Sequence, residues 1–189
     1  MAETVIRRAP QGDRQGGLMK ETINTTNLAK VYGKTRAVDN LNISIKQGEI
    51  FGFIGLNGAG KTTTIRMLLG MVKPTSGQCY LQGKRVNPNN TNIWRHVGYI
   101  VETPYSYPEL TVEENLEIVC QLEGVRDKNS SIRVMKKLDL IDYASTKVKH
   151  LSLGNSQRLG IAKAIIHKPE ILILDEPTNG LDPAGTVKI

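Results

Sequence analysis

The sequence predicts an α/β fold, and three features predict it. The first is the apolar, strand-like run Ile50-Phe51-Gly52-Phe53-Ile54, followed by the glycine-rich Gly55-Leu56-Asn57-Gly58-Ala59-Gly60-Lys61-Thr62-Thr63. Thr64-Ile65-Arg66-Met67-Leu68-Leu69 comes next and reads as a helix stopped by Gly70. The second is Ile171-Leu172-Ile173-Leu174, an unbroken apolar run of the kind that forms a buried parallel strand. The third is a pair of amphipathic helical patterns between them, which reads as a helical insertion rather than continued strand–helix alternation.

With 189 residues, 39% of them hydrophobic and 23% charged, the composition suits one globular domain with a real core. No apolar run approaches the length needed to cross a bilayer. Cys79 and Cys120 stand far apart with no metal-ligand spacing and read as buried free thiols of a cytosolic protein. The formal charge of +7 admits nucleic acid or an anionic lipid surface as partner. The basic residues are scattered, however, with no aromatic-plus-basic reading motif, so nucleic acid is not expected.

In chain order, residues 1–18 lack an apolar period and carry Pro10, Gly12, Gly16 and Gly17; they read as a disordered leader or tag, with the natural start at Met19. From Glu21 the pattern is β: Ile23, Leu28 and Val31 in one run, then Leu41-Asn42-Ile43-Ser44-Ile45 in alternation, with Tyr32-Gly33 and Arg36-Ala37-Val38 as loop between them. A short strand follows at Gln78-Cys79-Tyr80-Leu81, a short helix near Asn92 to Arg95, and another strand at Tyr99-Ile100-Val101. Thr111-Val112-Glu113-Glu114 spells a capping box for a helix bearing Val112, Leu116, Val119 and Cys120 on one face and ending before Gly124. A second amphipathic helix is expected from about Ile132 to Leu138. Ser152 reads as the N-cap before a helix of residues 156–166.

The glycine loop fits G-x-x-x-x-G-K-[ST], and its strand–loop–helix context is the one in which that pattern cradles phosphate. Glycines let successive N–H groups turn toward the anion, Lys61 reaches the β- and γ-phosphates, and the Thr62 hydroxyl suits a magnesium ion. Asp175 and Glu176 close the apolar strand at its carboxyl end, where open α/β sheets bind ligands. There Asp175 would hold the metal, usually through water, and Glu176 would polarise an attacking water. A second anion site could form at Ser152 and the N–H groups after it, although a simply capped helix fits the same spacing. Tyr32 could offer its ring to a base; a packed surface tyrosine fits equally well.

The order of these motifs resembles the nucleotide-binding subunit of ABC transporters, from Glu21 to the last residue. That resemblance implies a P-loop NTPase fold with a mixed sheet core, an antiparallel β subdomain and an α-helical subdomain at about 103–165, within a domain of residues 19–189 that is incomplete at its C-terminus. It assigns Tyr32 to adenine stacking, with Val38 added to the nucleotide-binding set, and residues 55–63 to Walker A, so that Asn57, Gly58, Ala59, Gly60, Lys61, Thr62 and Thr63 bind ATP. Glu102 takes the Q-loop position, with a catalytic role and a place among the Mg2+ ligands. Leu151-Ser152-Leu153-Gly154-Asn155 stands where the family has L-S-G-G-Q, so Ser152 and Gly154 would reach the γ-phosphate in trans. Leu174-Asp175-Glu176-Pro177 matches Walker B, and Asn179-Gly180-Leu181-Asp182 the D-loop. Lys61, Glu102 and Glu176 form the implied catalytic set, and Thr62, Asp175 and Glu102 the metal set.

Three departures from the family pattern stand out. Glu102 replaces glutamine, which strengthens cation binding but removes a hydrogen-bond donor. Leu153 and Asn155 replace Gly and Gln in the signature. The family's switch histidine would lie beyond Ile189, and none of His96, His150 or His167 falls where it could substitute. The glutamate and the L-S-L-G-N signature are similar to the bacitracin and lantibiotic self-protection ATPases. The resemblance therefore implies ATP and Mg2+ as ligands, ATP sandwiched in a homodimer, and a separate transmembrane permease subunit pressing on residues 102–107. The subunit would lie at the cytoplasmic face of the membrane. An ABC ATPase of the DNA-repair or translation type, and a nucleotide-binding fragment without catalysis, remain the alternatives. A sheet ending at the Walker B strand also implies marginal stability and self-association.

Overall fold

The computed structural model describes residues 4–8, 21–89, 91–102 and 105–179, and the chain divides into two compact units, residues 1–90 and 91–189, where composition alone suggests one domain. Among the described residues the first unit holds two sheets and the second one, and each unit has its own buried apolar side chains.

The first unit is organised on β2 (Glu21–Tyr32), which pairs antiparallel with β3 (Thr35–Leu41), β4 (Ser44–Lys46) and β6 (Ser76–Leu81); β7 (Lys84–Arg85) extends β6. Ile23, Thr25 and Leu28 are all buried although their spacing is not strictly two. The register shifts between Thr26 and Ala29, where Asn27 has φ +48°, and this irregularity returns Leu28 to the core face. Here the structure corrects two expectations. Arg36, Ala37 and Val38 lie in strand β3, not in a loop, because β2 and β3 form a hairpin closed at Tyr32 and Thr35. The predicted strand over residues 41–45 is broken at Asn42 and Ile43. The Thr25 hydroxyl bridges that break, donating to the Leu41 carbonyl at 3.0 Å and accepting from the Ile43 N–H at 2.9 Å. The Asn42 amide meanwhile accepts from the Asn27 N–H at 2.8 Å.

Strand β5 (Ile50–Ile54) leads into the glycine loop and helix α1 (Lys61–Leu68). It pairs antiparallel with β1 (Thr4–Arg8), from Thr4 opposite Ile54 to Arg8 opposite Ile50. The expectation of disorder over residues 1–18 is thus corrected at these five residues: Thr4-Val5-Ile6 is a β-prone triplet, and an unpaired edge of β5 gives it a template. The rest of that leader lies outside the described residues.

The second unit opens with α2 (Thr91–Trp94) and β8 (Val97–Ile100), followed by α3 (Val112–Leu122), α4 (Ser130–Lys137), two 3-10 turns (Ile141–Tyr143 and Val148–His150), α5 (Leu153–Ile165) and β9 (Ile171–Leu174). Strands β8 and β9 pair in parallel, Val97 opposite Ile171 and Ile100 opposite Leu174, as the apolar run at 171–174 predicts. Val112, Leu116, Met135, Leu140 and Leu159 form the centre of a helical core that Ile100 of β8 shares. Gly98 permits the close packing of β8 on α5: a Cβ there would lie 2.0 Å from the Ala164 carbonyl oxygen. The capping box of α3 is formed in full, with the Thr111 hydroxyl accepting from the Glu114 N–H and the Glu114 carboxylate accepting from the Thr111 N–H.

Candidate functional site

The candidate residues fall into two groups, one in each unit. In the first, Lys61 opens α1, and its ammonium donates to the Gly55 carbonyl at 2.7 Å and the Leu56 carbonyl at 3.0 Å, so the side chain folds back over its own loop. The Ala59 N–H bonds the Leu56 carbonyl at 3.0 Å and tightens the turn between them. Gly60 is the N-cap of α1 and offers the first turn no side-chain acceptor. Such a start keeps its N–H donors and partial positive charge for an anion. Gly60 is also a position where no other residue fits: φ is +86°, and a Cβ would meet the Ala37 carbonyl oxygen at 2.1 Å. The loop therefore rests on β3. Val38, assigned to the nucleotide-binding set, is buried in that strand at 7% exposure, and its Cγ2 stands 3.0 Å from the same Cβ position.

Tyr32 sits at the end of the hairpin that carries Ala37 and Val38. The residue is 48% exposed, with the Lys30 ammonium 4.9 Å from the ring centroid. An exposed aromatic face on the strand pair that supports the loop can stack on a planar ligand. Asn57, Gly58 and Ala59 are exposed in the loop, whereas Thr62 and Thr63 are half-buried in the first turn of α1.

The second group gathers around β9 and α5. Asp175 is 6% exposed, and its N–H bonds the Ile100 carbonyl at 2.9 Å, which carries the β8–β9 ladder one residue beyond the strands. Glu176 is exposed with φ +46°, a conformation uncommon for a side chain of its size. One of its carboxylate oxygens accepts from the Asn179 amide at 2.6 Å. Glu102 is exposed two residues after β8 and also has a left-handed backbone, φ +59°. Both glutamates thus stand on strained turns that follow parallel strands, at the carboxyl end of that small sheet. The carboxylates of Asp175 and Glu102 in this unit, and separately the Thr62 hydroxyl of the first unit, are oxygen donors of the hard kind that magnesium takes.

Ser152 caps α5, its hydroxyl accepting from the Asn155 N–H at 3.2 Å. The helix begins at Leu153 rather than at Ser156, so Leu153 and Gly154 are its first residues, not a preceding loop. An N-cap bond to the third helical N–H requires that start. Leu153 is 68% exposed. Of the D-loop residues Asn179 is described, while Gly180, Leu181 and Asp182 lie outside the described residues, as do Thr103 and Pro104 of the Q-loop segment.

The structure gives roles to Gln157, which continues the signature motif, and to two polar residues outside any motif, Asn115 and Lys163. The Gln157 amide, buried in α5, donates to the Pro177 carbonyl at 3.1 Å and ties the signature helix to the turn after β9. Asn115 is buried on α3, and Lys163 lies on α5, where burial lowers its pKa to about 8. The signal for both was available: each interrupts an otherwise apolar helix face, Asn115 between Val112 and Leu116, Lys163 within Ile161-Ala162-Lys163-Ala164-Ile165. Cys79 is a buried free thiol, pushed up to about 12 by burial; Cys120 is half-buried, not buried, with its sulfur 3.7 Å from the Ser131 hydroxyl.

Residues 38–179 match the family model described as ABC transporter. The chain is 53% identical over 167 residues to the bacitracin transport ATP-binding protein BcrA of Bacillus licheniformis, an alignment covering 88% of this chain and 55% of that protein. It is 40% identical over 159 residues to the lantibiotic transport ATP-binding protein SrtF of Streptococcus pyogenes, covering 84% of this chain and 68% of the other. Among solved structures it resembles a dimeric ATP-binding cassette in a post-hydrolysis state with ADP and Pi bound, at TM-score 0.77 and 28% identity over 88% of this chain and 79% of that one. The chain spans about half the length of BcrA. A P-loop on a strand–helix junction, an acidic pair at the end of a parallel strand and a family match over most of the sequence agree: the chain belongs to the ABC transporter ATP-binding family.

Proposed function

We propose that this chain is an ATP-binding and ATP-hydrolysing subunit that energises a separate transmembrane permease, which expels a peptide antibiotic or similar hydrophobic compound. The observation that carries the reading is the loop itself, with the Lys61 ammonium held on the Gly55 and Leu56 carbonyls beside a helix start that has no side-chain cap. The named substrates of BcrA and SrtF support the antibiotic-peptide class.

In this reading the loop N–H groups and Lys61 bind the β- and γ-phosphates and Tyr32 stacks on the adenine. Val38 backs the loop from β3. Thr62, Asp175 and Glu102 are the residues that would hold Mg2+, which would supply charge neutralisation on the phosphate oxygens. Glu176 accepts a proton from the water that attacks the γ-phosphorus as the bond to the β-phosphate oxygen breaks. The Asn179 amide occupies one carboxylate oxygen and so orients the other. Ser152 and Gly154 of a second copy close the site, which makes the working unit a homodimer. The dimeric cassette with ADP and Pi bound supports that arrangement.

The test is phosphate release from the purified chain with Mg-ATP, beside Glu176→Gln. Removal of a general base is expected to lower turnover by about 10²- to 10⁴-fold while nucleotide still binds. Bound ATP without turnover in the unaltered chain would reduce the reading to a nucleotide-binding module.

A further inference from the structure

Lys163 lies on α5 eleven residues after the Ser152 cap, roughly three helical turns along the same rod. Its ammonium makes three hydrogen bonds, to the Tyr105 carbonyl at 3.1 Å, the Ser106 hydroxyl at 2.8 Å and the Asn115 amide oxygen at 3.1 Å. All three partners are neutral, so nothing they supply repays the desolvation of a charge in full. Asn115, at 1% exposure on α3, binds the same segment from the other side. Its oxygen accepts from the Tyr107 N–H at 2.9 Å, and its NH2 donates to the Tyr107, Leu110 and Thr111 carbonyls. Residues 105–110 have no regular secondary structure, so the two side chains supply bonds that a helix or strand would otherwise make.

A lysine half-buried at this position incurs a desolvation cost that leucine or methionine would not. The bonds it makes are nevertheless specific: one element that begins at Ser152 and one segment that follows Glu102 are joined at a single ammonium. The segment also displays an aromatic pair, Tyr105 and Tyr107, ring centroids 5.6 Å apart in an edge-to-face arrangement, with Tyr105 77% exposed.

We infer that Lys163 is a positioning residue: it welds residues 105–110 to the signature helix, so that a displacement of the exposed tyrosine segment moves the Ser152 end of α5 with it. The inference rests on the reading above in one respect, that the Ser152 end of α5 completes the ATP site of a second copy.

The weld is tested by hydrogen exchange at fixed pH on the 189-residue chain, comparing the unaltered protein with Lys163→Met, Lys163→Arg and Ser106→Ala. In the unaltered chain the amides of Tyr107 and Leu110 are expected to open with those of α5 as one unit. Lys163→Met should speed exchange in residues 105–110 by about tenfold or more, with α5 unchanged, because the lost bonds are local to that segment. Ser106→Ala, which disturbs no core volume, should give a smaller increase in the same residues, and Lys163→Arg should restore most of the protection. Where Lys163→Met fails to fold, Ser106→Ala and Lys163→Arg decide the matter alone. Unchanged exchange in residues 105–110, or equal loosening of α5, would overturn the weld. Turnover then tests its use: Lys163→Met should lower kcat with KM for ATP unchanged, and Lys163→Arg should recover it. Equal kcat in all variants would overturn the positioning role. Absence of turnover in the unaltered chain would instead count against the hydrolytic reading, while the exchange data would still decide the weld.

Discussion

Gly60, Thr25 and Lys163 show how single residues decide structure here by different physics. Gly60 is dictated by sterics, since both its φ and the nearby Ala37 carbonyl exclude a side chain. Thr25 is buried but satisfied, with both of its hydroxyl bonds made across the break between β3 and β4. Lys163 is half-buried and charged, and its titration has a consequence for stability. Its pKa is about 8 in the folded chain against 10.5 when exposed, through burial. Between those values the unfolded chain holds the proton that the folded chain has released, so unfolding becomes harder as pH rises. The desolvation cost is thus fully present below pH 8 and relieved above it. Cys79 acts in the opposite sense from about pH 9 upward, because its buried thiol resists the ionisation open to the unfolded chain. The informative comparison is therefore with Lys163→Met. From pH 7 to 9 the unaltered chain should gain stability relative to the variant in denaturant titrations, and parallel pH profiles would show that Lys163 does not titrate in this window.

Elements in this protein are set mainly by their ends. Helix α3 is specified by the capping box, which is visible in the sequence and formed in full. Thr111→Ala removes the hydroxyl that accepts from the Glu114 N–H and should cost about 1 kcal/mol of unfolding free energy in urea. A loss below a few tenths would mean that the helical core alone holds the first turn. Helix α1 has the opposite design, a start with no side-chain cap, and its stability comes from Ile65, Met67 and Leu68, all buried. Within the same helix Thr64 is buried with a hydroxyl that has no hydrogen-bond partner among the described residues, a cost that its packing must offset. Helix α5 serves two roles at once: its first turn presents the Ser152 cap, and its interior fixes Gln157 to the turn after β9.

Among the described residues the two units contain small sheets with open edges. Strands β8 and β9 pair only with one another, and β5 pairs only with β1. Two-stranded sheets of four or five residues are marginal alone, and open strand edges template association. Ile50 and Ile54 of β5 and Leu172 of β9 are exposed large apolar side chains on these short strands. The 189-residue chain is therefore expected to self-associate at tens of micromolar concentration in sedimentation velocity. It should also melt over a broad range, because two units with separate cores need not unfold together. A sharp, reversible transition of a monomer would contradict both expectations.

Structure that depends on local order was legible in the sequence. The P-loop, the capping box, the Ser152 cap and the strand ending at Asp175 each lie within about ten consecutive residues, where turn geometry and hydrophobic period act directly. Tertiary structure decided the rest. Residues 36–38 became a strand because β2 offered a partner, and the run at 41–45 broke because burying Thr25 called for hydroxyl bonds at the break. Thr4–Arg8 became ordered on the edge of β5. Lys163, Asn115 and the segment after Glu102 are separated by up to 58 positions in the chain and meet only once α3 and α5 have packed. No local pattern encodes such a meeting, because the energy that holds it is released only when the ammonium already stands among its three partners.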